Sequence, residues 1–174
     1  MNNQSNSIVT VNYFLDPGYI FLPKKPTIVS MVLGSCVSVC LYDSKRKVGG
    51  INHYQYPHTN ERHNATAKYG NVSTITLIRM MLNDGSKRKH LEAQIVGGAN
   101  HSEICTKNIG RQNIMIARKI LAKERINIAS EDVGGEKGRK IVFNTHTNEM
   151  AVMKVDKLRA VDWFPYENDR QGDC

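Results

Sequence analysis

The sequence brings one thiol and one imidazole close enough along the chain to react together. Cys36 follows a Gly34-Ser35 turn, and His53 comes seventeen positions after it, beyond a strand-like run and a short basic loop. A free thiol, with a pKa of about 8.5, is mostly protonated at neutral pH, and a neighbouring imidazolium stabilises the thiolate. The same ring can later give a proton to a leaving amine. The pair is therefore a candidate sulfur nucleophile and its base, provided that the fold brings the two side chains together.

The predicted hairpin between these residues decides whether they can meet. The runs on either side of the basic turn are rich in branched and aromatic residues and predict two strands, Val37 to Tyr42 and Val48 to Tyr54. If the turn centres on Lys45-Arg46, facing residues have an index sum of 91, which places His53 opposite Ser38 and diagonal to Cys36 on the same face. A sum of 89 would pair them directly, and a sum of 90 would send them to opposite faces. The chemistry requires an odd register.

Two other interpretations of these residues are open. Cysteine is among the most often buried residue types, so Cys36 and His53 could simply fill a core, as we expect of Cys40. His53, His58 and His63 recur every five residues and suggest a metal site with the cysteines. Zinc ligands usually form closer pairs, and residues 57–67 predict an exposed polar loop, so we expect no metal.

Length and composition predict one ordinary domain. The 174 residues favour a single domain over 8–166, with a disordered tail at 1–7 and a frayed end at 167–174. A formal charge of +8 favours acidic partners, whereas the sequence lacks nucleic-acid-binding motifs. It also lacks a membrane-spanning apolar run, so we expect a cytoplasmic protein whose four cysteines are reduced.

Periodicity predicts an α+β or layered α/β fold with a β-sheet core flanked by helices. An amphipathic helix is predicted from about 67 to 83, with Tyr69, Val72, Ile75, Ile78, Met81 and Leu82 on its buried face. A second helix from 109 to about 125 is capped by Asn108 and buries Asn113, Ile114, Ala117, Ile120 and Leu121. Strands are predicted at 8–14, 19–22, 27–33, 91–96, 126–133, 140–145 and 150–155, besides the central hairpin. The strand order stays open.

Five motifs in order resemble the CheD family of bacterial chemotaxis proteins. They are LGSCVSVCLYD, VGGINHYQYP, KYGN, VGGAN and NIGRQN, within a likeness that runs from about Ile20 to Lys154. The resemblance implies a chemoreceptor glutamine deamidase, related in fold to other bacterial cysteine hydrolases and needing no cofactor. It implies that Cys36 is the nucleophile and His53 the general base. The family's third polar residue, usually a threonine six places before the cysteine, falls on Ser30, which keeps the hydroxyl but lacks the stiffening methyl.

The substrate side of the predicted site is less specific. Backbone amides at Gly34 and Ser35 are expected to face an oxyanion, and in the family likeness the segment with Gly97 and Gly98 forms part of the active-site wall. Chemoreceptor cytoplasmic helices are the substrate that the resemblance implies.

Other functions remain open at this point. The resemblance also implies a partner, a CheC-type response-regulator phosphatase, and thus a regulatory binding protein with little turnover. His101 to Thr106 lacks an aromatic anchor for such a partner, and the Trp163 segment is expected to pack rather than bind. The basic cluster at 86–90 fits either a solvated connection or a docking patch. The same thiol and base could instead hydrolyse receptor methyl esters.

Overall fold

The computed structural model describes residues 11–100, 108–158 and 162. Its strands are β1 (Val11–Phe14), β2 (Tyr19–Phe21), β3 (Thr27–Leu33), β4 (Val37–Asp43), β5 (Val48–His53), β6 (Leu91–Gly97), β7 (Asn127–Val133), β8 (Gly138–Asn144) and β9 (Met150–Val155). Its helices are α1 (Gly70–Asn83) and α2 (Ile109–Lys123), with short 3-10 turns at Arg62–Asn64 and Arg88–His90. The predictions for both tails, the strand start at 8–10, His101 to Thr106 with Cys105, and Trp163, Phe164 and Tyr166 lie outside the described residues.

Nine described strands form two sheets. One has four strands in the order β1-β3-β8-β9, and the other has five in the order β2-β5-β4-β6-β7. Most neighbouring pairs are antiparallel, but β1 runs parallel to β3, and β6 runs parallel to β7. The central strand β4 is buried along its whole length because both faces of its sheet are covered.

The five-stranded sheet lies between the helices and the four-stranded sheet. On its helix side, Val37, Val39 and Leu41 of β4 pack with residues of both helices, such as Leu77 and Leu121. On its other side, a second cluster joins Cys36, Cys40, Ile51 and Val96 to residues of the four-stranded sheet, Val29, Met31, Leu33, Ile141 and Phe143. The predicted layered α+β class is confirmed.

The register of the central hairpin is the predicted one. Cys40 pairs with Ile51 and Asp43 with Val48, an index sum of 91, and a further bridge joins Val37 to Tyr54. Asp43 holds the turn, because its Oδ1 accepts hydrogen bonds from the amides of Lys45 at 2.9 Å and Arg46 at 3.0 Å.

The predicted buried face agrees with the structure better for α2 than for α1. All five residues predicted on the buried face of α2 are buried, and the Asn108 side chain accepts the predicted cap bond from the amide of Arg111. In α1, the predicted face is confirmed in part, since Ile78 and Met81 are buried and Ile75 and Leu82 pack partly buried against the same cluster. Ser73 and Thr74 are fully buried, whereas Val72, Ile75 and Leu82 are only partly covered. Small residues allow this helix to lie close to the sheet, and Thr74 also meets the Asn52 side chain at 3.4 Å.

Candidate active site

The turn that carries Cys36 is held by its carbonyl groups. Three successive carbonyls accept hydrogen bonds from the β6 end and α2: Gly34 from the amide of Ala99 at 2.9 Å, Ser35 from Nδ2 of Asn113 at 2.9 Å, and Cys36 from the amide of Gly98 at 2.7 Å. Ser35 itself is exposed, whereas only 6% of Cys36 is exposed. The turn is therefore fixed from its inner side.

The amides of the same turn are left free. Among the described residues, the N–H groups of Ser35 and Cys36 donate to no other residue. The Cys36 amide lies next to its own sulfur, where it partly offsets the effect of burial on the thiol. Two successive unpaired N–H groups, of which the second lies beside the sulfur, are the kind of donors that a tetrahedral oxyanion would need.

Burial makes the Cys36 thiol a weak acid. Desolvation raises its pKa from 9.0 to about 12, because a thiolate loses its hydration in this environment. The resting group is therefore a protonated thiol at neutral pH, and it becomes a nucleophile only when a base removes its proton.

The ring of His53 is held by a backbone carbonyl. Nδ1 lies 3.2 Å from the carbonyl oxygen of Leu15, and the Leu15 amide in turn donates to the carbonyl of Ser30 at 2.9 Å. A carbonyl accepts but cannot donate, so Nδ1 carries the proton in this contact and Nε2 presents a lone pair. That Nε2 is buried and has no hydrogen-bond partner in the described part of the chain.

Burial also keeps the imidazole neutral. Desolvation lowers the pKa of His53 from 6.5 to about 4, and the contact with Leu15 offsets only part of this shift. The resting pair is thus a neutral thiol and a neutral imidazole rather than the thiolate and imidazolium of a preformed ion pair.

Cys36 and His53 lie on the same side of the five-stranded sheet. Cys36 packs in the cluster between the two sheets, and His53 reaches Leu15 of that same cluster. This follows from the odd register, which puts His53 opposite Ser38. The thiol donates no hydrogen bond to Nε2 in this resting arrangement, so proton transfer requires the closer approach that substrate binding commonly brings.

Ser30 is placed differently from the expectation. The inward-facing residues of β3 are Val29, Met31 and Leu33, so regular alternation directs Ser30 to the outer face of its sheet, beside exposed Val142. Its hydroxyl makes no hydrogen bond to any described residue. The contact with the imidazole belongs to Leu15, and Ser30 takes part through its main-chain carbonyl. No sequence signal pointed to Leu15, because a backbone carbonyl is present at every residue.

Gly97 and Gly98 pack against the backbone of Cys36. Both have positive φ angles, 109° and 69°, and a Cβ at Gly97 would lie 2.3 Å from the carbonyl oxygen of Cys36. Only glycine allows this approach. The amide of Gly98 is already bonded to Cys36, so it supports the turn and is not a free oxyanion donor.

The remaining candidate ligands do not gather around the site. Cys40 is buried in β4, where its sulfur lies 3.9 Å from the Ser38 hydroxyl, and burial raises its pKa. His58 and His63 are exposed on the loop after β5. Within the described ranges, no three His, Cys, Asp or Glu side chains come together as metal ligands would.

A cleft borders the backbone of His53. It has a volume of about 450 Å³ and is lined by Pro17, Gly18, Tyr19, Asn64, Thr66, Lys68 and Tyr69. Tyr19 pairs with His53 across the β2–β5 ladder and is 61% exposed, and the Gly18 amide donates to the His53 carbonyl. In the part of the chain that the structure describes, no helix has the length and apolar character that crossing a bilayer needs.

Comparison with protein families gives one match over residues 55–154, to a family described as CheD chemotactic sensory transduction. The matched region begins just after His53 and includes β6, both helices and the NIGRQN motif.

Curated relatives extend the likeness across the candidate nucleophile. A protein of Sulfurimonas denitrificans is 37% identical over 147 residues, covering 83% of this chain and 94% of its own length. One from Trichlorobacter lovleyi is 39% identical over 151 residues, covering 84% of this chain and 92% of its own. A third, from Shewanella oneidensis, is 39% identical over 141 residues, covering 75% of this chain and 70% of its own length. All three are named as probable chemoreceptor glutamine deamidases.

Proposed function

Because the chain belongs to the CheD family, we propose that it is a protein-glutamine deamidase acting on the cytoplasmic helices of chemoreceptors. It converts glutamine side chains to glutamate and releases ammonia. The observation that carries this proposal is the neutral, buried His53 with a free Nε2, on the same side of the sheet as Cys36 and its unpaired amides. A substrate on the cytoplasmic part of a receptor supports a cytoplasmic location for the protein.

In the first half of the reaction, His53 acts as a base and then as an acid. Nε2 takes the thiol proton while the Cys36 sulfur attacks the side-chain amide carbon of the glutamine. The carbonyl oxygen gains the negative charge, and the N–H groups of Ser35 and Cys36 stabilise it. The protonated ring then gives its proton to the amide nitrogen. The C–N bond breaks, ammonia leaves, and a thioester with Cys36 remains.

In the second half, water replaces ammonia. His53 Nε2 removes a proton from a water molecule, whose oxygen attacks the thioester carbon and regenerates the oxyanion. The C–S bond then breaks, the sulfur recovers the proton from the ring, and the product is a neutral glutamic acid side chain, which becomes glutamate by giving its proton to the released ammonia or to water. Atoms and charges balance without a cofactor.

The low basicity of His53 suits this sequence. An imidazole with a pKa of about 4 gives up its proton readily to a departing amine, while the Nδ1 contact with Leu15 keeps Nε2 as the exchanging atom. The cost is a slower removal of the thiol proton, which the unpaired amides around the developing oxyanion offset.

The test uses receptor cytoplasmic fragments incubated with wild-type protein, Cys36→Ala and Cys40→Ala. Mass spectrometry should detect the small mass gain of glutamine-to-glutamate conversion with wild type and with Cys40→Ala, and none with Cys36→Ala. Cys40 is the matched control because it is also a buried free thiol and lies on β4, four residues after Cys36. Activity in Cys36→Ala would defeat the proposal. Measuring methanol release from methylated fragments in parallel separates ester hydrolysis from deamidation.

Binding to a CheC-type phosphatase is a separate proposal carried by the family resemblance. Its expected contact segment, His101 to Thr106, lies outside the described residues. A pull-down with Cys36→Ala separates the two roles, because binding at a surface should survive loss of the nucleophile. Loss of binding in that variant would show that the two roles are not independent.

A further inference from the structure

Asn113 connects the two halves of the candidate active site. Its side chain is fully buried on α2, and its Nδ2 donates to the carbonyl of Ser35 at 2.9 Å and to the carbonyl of Gln55 at 2.9 Å. Ser35 immediately precedes Cys36, and Gln55 follows His53 by two residues. One amide group therefore joins the backbone beside the nucleophile to the backbone beside the base.

The contact with Ser35 sets the direction of the Cys36 amide. In a trans peptide, the C=O of one residue and the N–H of the next point in opposite directions within one plane. Asn113 draws the Ser35 carbonyl inward, so the Cys36 N–H points away from α2 and stays unpaired beside its own sulfur. The Ala99 amide acts on the Gly34 carbonyl in the same way, and this orients the Ser35 N–H.

The surroundings of Asn113 make it a rigid anchor. Its main-chain carbonyl accepts a 2.7 Å hydrogen bond from the Tyr54 hydroxyl. One turn earlier, Gly110 packs so closely that an added Cβ would lie 2.5 Å from the carbonyl oxygen of Gly98. The first turn of α2 thus sits directly against Gly98, which packs against the backbone of Cys36.

A buried asparagine at position 113 lowers the stability of the fold in one respect, which packing alone would not explain. Its Oδ1 is buried without a hydrogen-bond partner among the described residues. A desolvated acceptor opposes folding, and an apolar residue of similar size would avoid it. The two donated hydrogen bonds are the gain that offsets this cost.

We propose that Asn113 is a positioning residue that orients the Cys36 amide as an oxyanion donor and fixes its distance from the strand that carries His53. It acts through Ser35 and Gln55 and does not touch the substrate. This inference rests on the deamidase function proposed above. It extends that function to a residue on α2, far from both reacting groups in sequence.

The principal variant is Asn113→Asp, which keeps the size of the side chain but replaces the donor by an acceptor facing two carbonyls. We expect kcat for ammonia release to fall about 10- to 100-fold with KM within about twofold, because a small displacement of an aligned group costs rate rather than binding. Asn113→Ser retains one donor, so its kcat should lie between that of Asn113→Asp and that of the wild type. If Asn113→Asp fails to fold, Asn113→Ser provides the kcat measurement in its place.

A second measurement isolates the oxyanion contact. The probe is a receptor-helix peptide with an aldehyde in place of the glutamine carboxamide, which adds the Cys36 sulfur to form a hemithioacetal. Its inhibition constant should rise by the factor by which kcat/KM falls, since both depend on the oriented amide. Alkylation of Cys36 by iodoacetamide forms no oxyanion, so its rate should stay within about threefold of wild type.

The control is Asn108→Ala, which removes the cap of the same helix without touching the turn. It should lower the melting temperature while keeping kcat near the wild-type value. Unchanged kcat in Asn113→Asp, equal loss in Asn108→Ala, or a parallel loss of alkylation would overturn the inference while leaving the deamidase assignment intact. If the wild type itself releases no ammonia and binds no aldehyde, the proposed function fails and the role of Asn113 falls with it.

Discussion

His53 Nδ1 lies 3.2 Å from the carbonyl oxygen of Leu15, and this single contact assigns the two ring nitrogens. Because a main-chain carbonyl can only accept, the proton stays on Nδ1 and Nε2 is left to exchange protons. The contact needs no particular side chain at position 15, so a substitution there would leave the acceptor in place.

The thiol of Cys36 is predicted to react slowly in the resting protein. Its pKa of about 12 leaves little thiolate at neutral pH. Alkylation by iodoacetamide, followed at the Cys36 peptide by mass spectrometry, should accelerate continuously up to at least pH 9. The same peptide in urea provides the control, with the ordinary thiol pKa of about 8.5. A plateau near pH 6 would instead reveal a preformed thiolate–imidazolium pair.

Replacing Ser30 by alanine should change kcat by no more than about twofold, because alanine keeps the carbonyl that holds Leu15. The contrasting variant is His53→Gln, for which loss of a general base predicts a fall of about 10²-fold or more. Ammonia release from receptor fragments measures both. A tenfold or larger loss in Ser30→Ala would restore the hydroxyl to the role that the family resemblance implies.

Gly97→Ala is predicted to disturb the turn that carries Cys36. The new Cβ would lie 2.3 Å from the Cys36 carbonyl oxygen, so the turn must move, and a shift of about 1 Å costs about 10²-fold in rate. Gly135→Ala is the matched control, since Gly135 also has a positive φ but nothing lies within 4 Å of its added Cβ. That variant should lose only about 1 kcal/mol of stability, with activity retained. Equal activity in the two variants would contradict the prediction.

His53 should also make stability depend on pH. Its pKa is about 4 in the folded state and 6.5 in the reference state, so between these values the unfolded chain binds more protons. Stability is therefore present in full above pH 6.5 and declines as the pH falls towards 4, by about 3 kcal/mol in total.

Urea unfolding at pH 7 and pH 4.5 tests this effect. His53→Gln should show a smaller difference between the two conditions than wild type, by about 2 to 3 kcal/mol. Ser38→Ala changes the facing buried position without removing a titrating group, so it should keep the wild-type difference. A His53→Gln protein with the full wild-type pH dependence would show that the imidazole is not the group responsible.

The hairpin and α2 were predictable because their signals are local. The Lys45-Arg46 turn fixes the register of β4 and β5, and side-chain alternation then places His53 and Cys36 on one face. The face of α2 follows from its apolar spacing. The face of α1 was predicted less well, because Ser73 and Thr74 are buried for their small size rather than for hydrophobicity.

Other features of the site have no local signal. The sheet orders depend on long-range pairings such as β3 with β8 and β4 with β6. The support of His53 comes from a carbonyl of Leu15, which any residue could supply. Apolar spacing predicts Asn113 only as part of a buried helix face, because its two hydrogen-bond acceptors lie 78 and 58 residues away in the sequence.

The link from Asn113 to Ser35 spans 78 residues of sequence, whereas the β4–β5 hairpin, which carries His53 and directly follows Cys36, closes through a turn of four residues, 44–47. Short loops close early in folding, and contacts between distant residues form late. A chain in which α2 has opened would keep the hairpin that carries His53 but would lose the hydrogen bond from Asn113 that anchors the turn before Cys36. If Asn113 anchors the oxyanion donors as proposed, reactivity towards amides depends on completion of the fold.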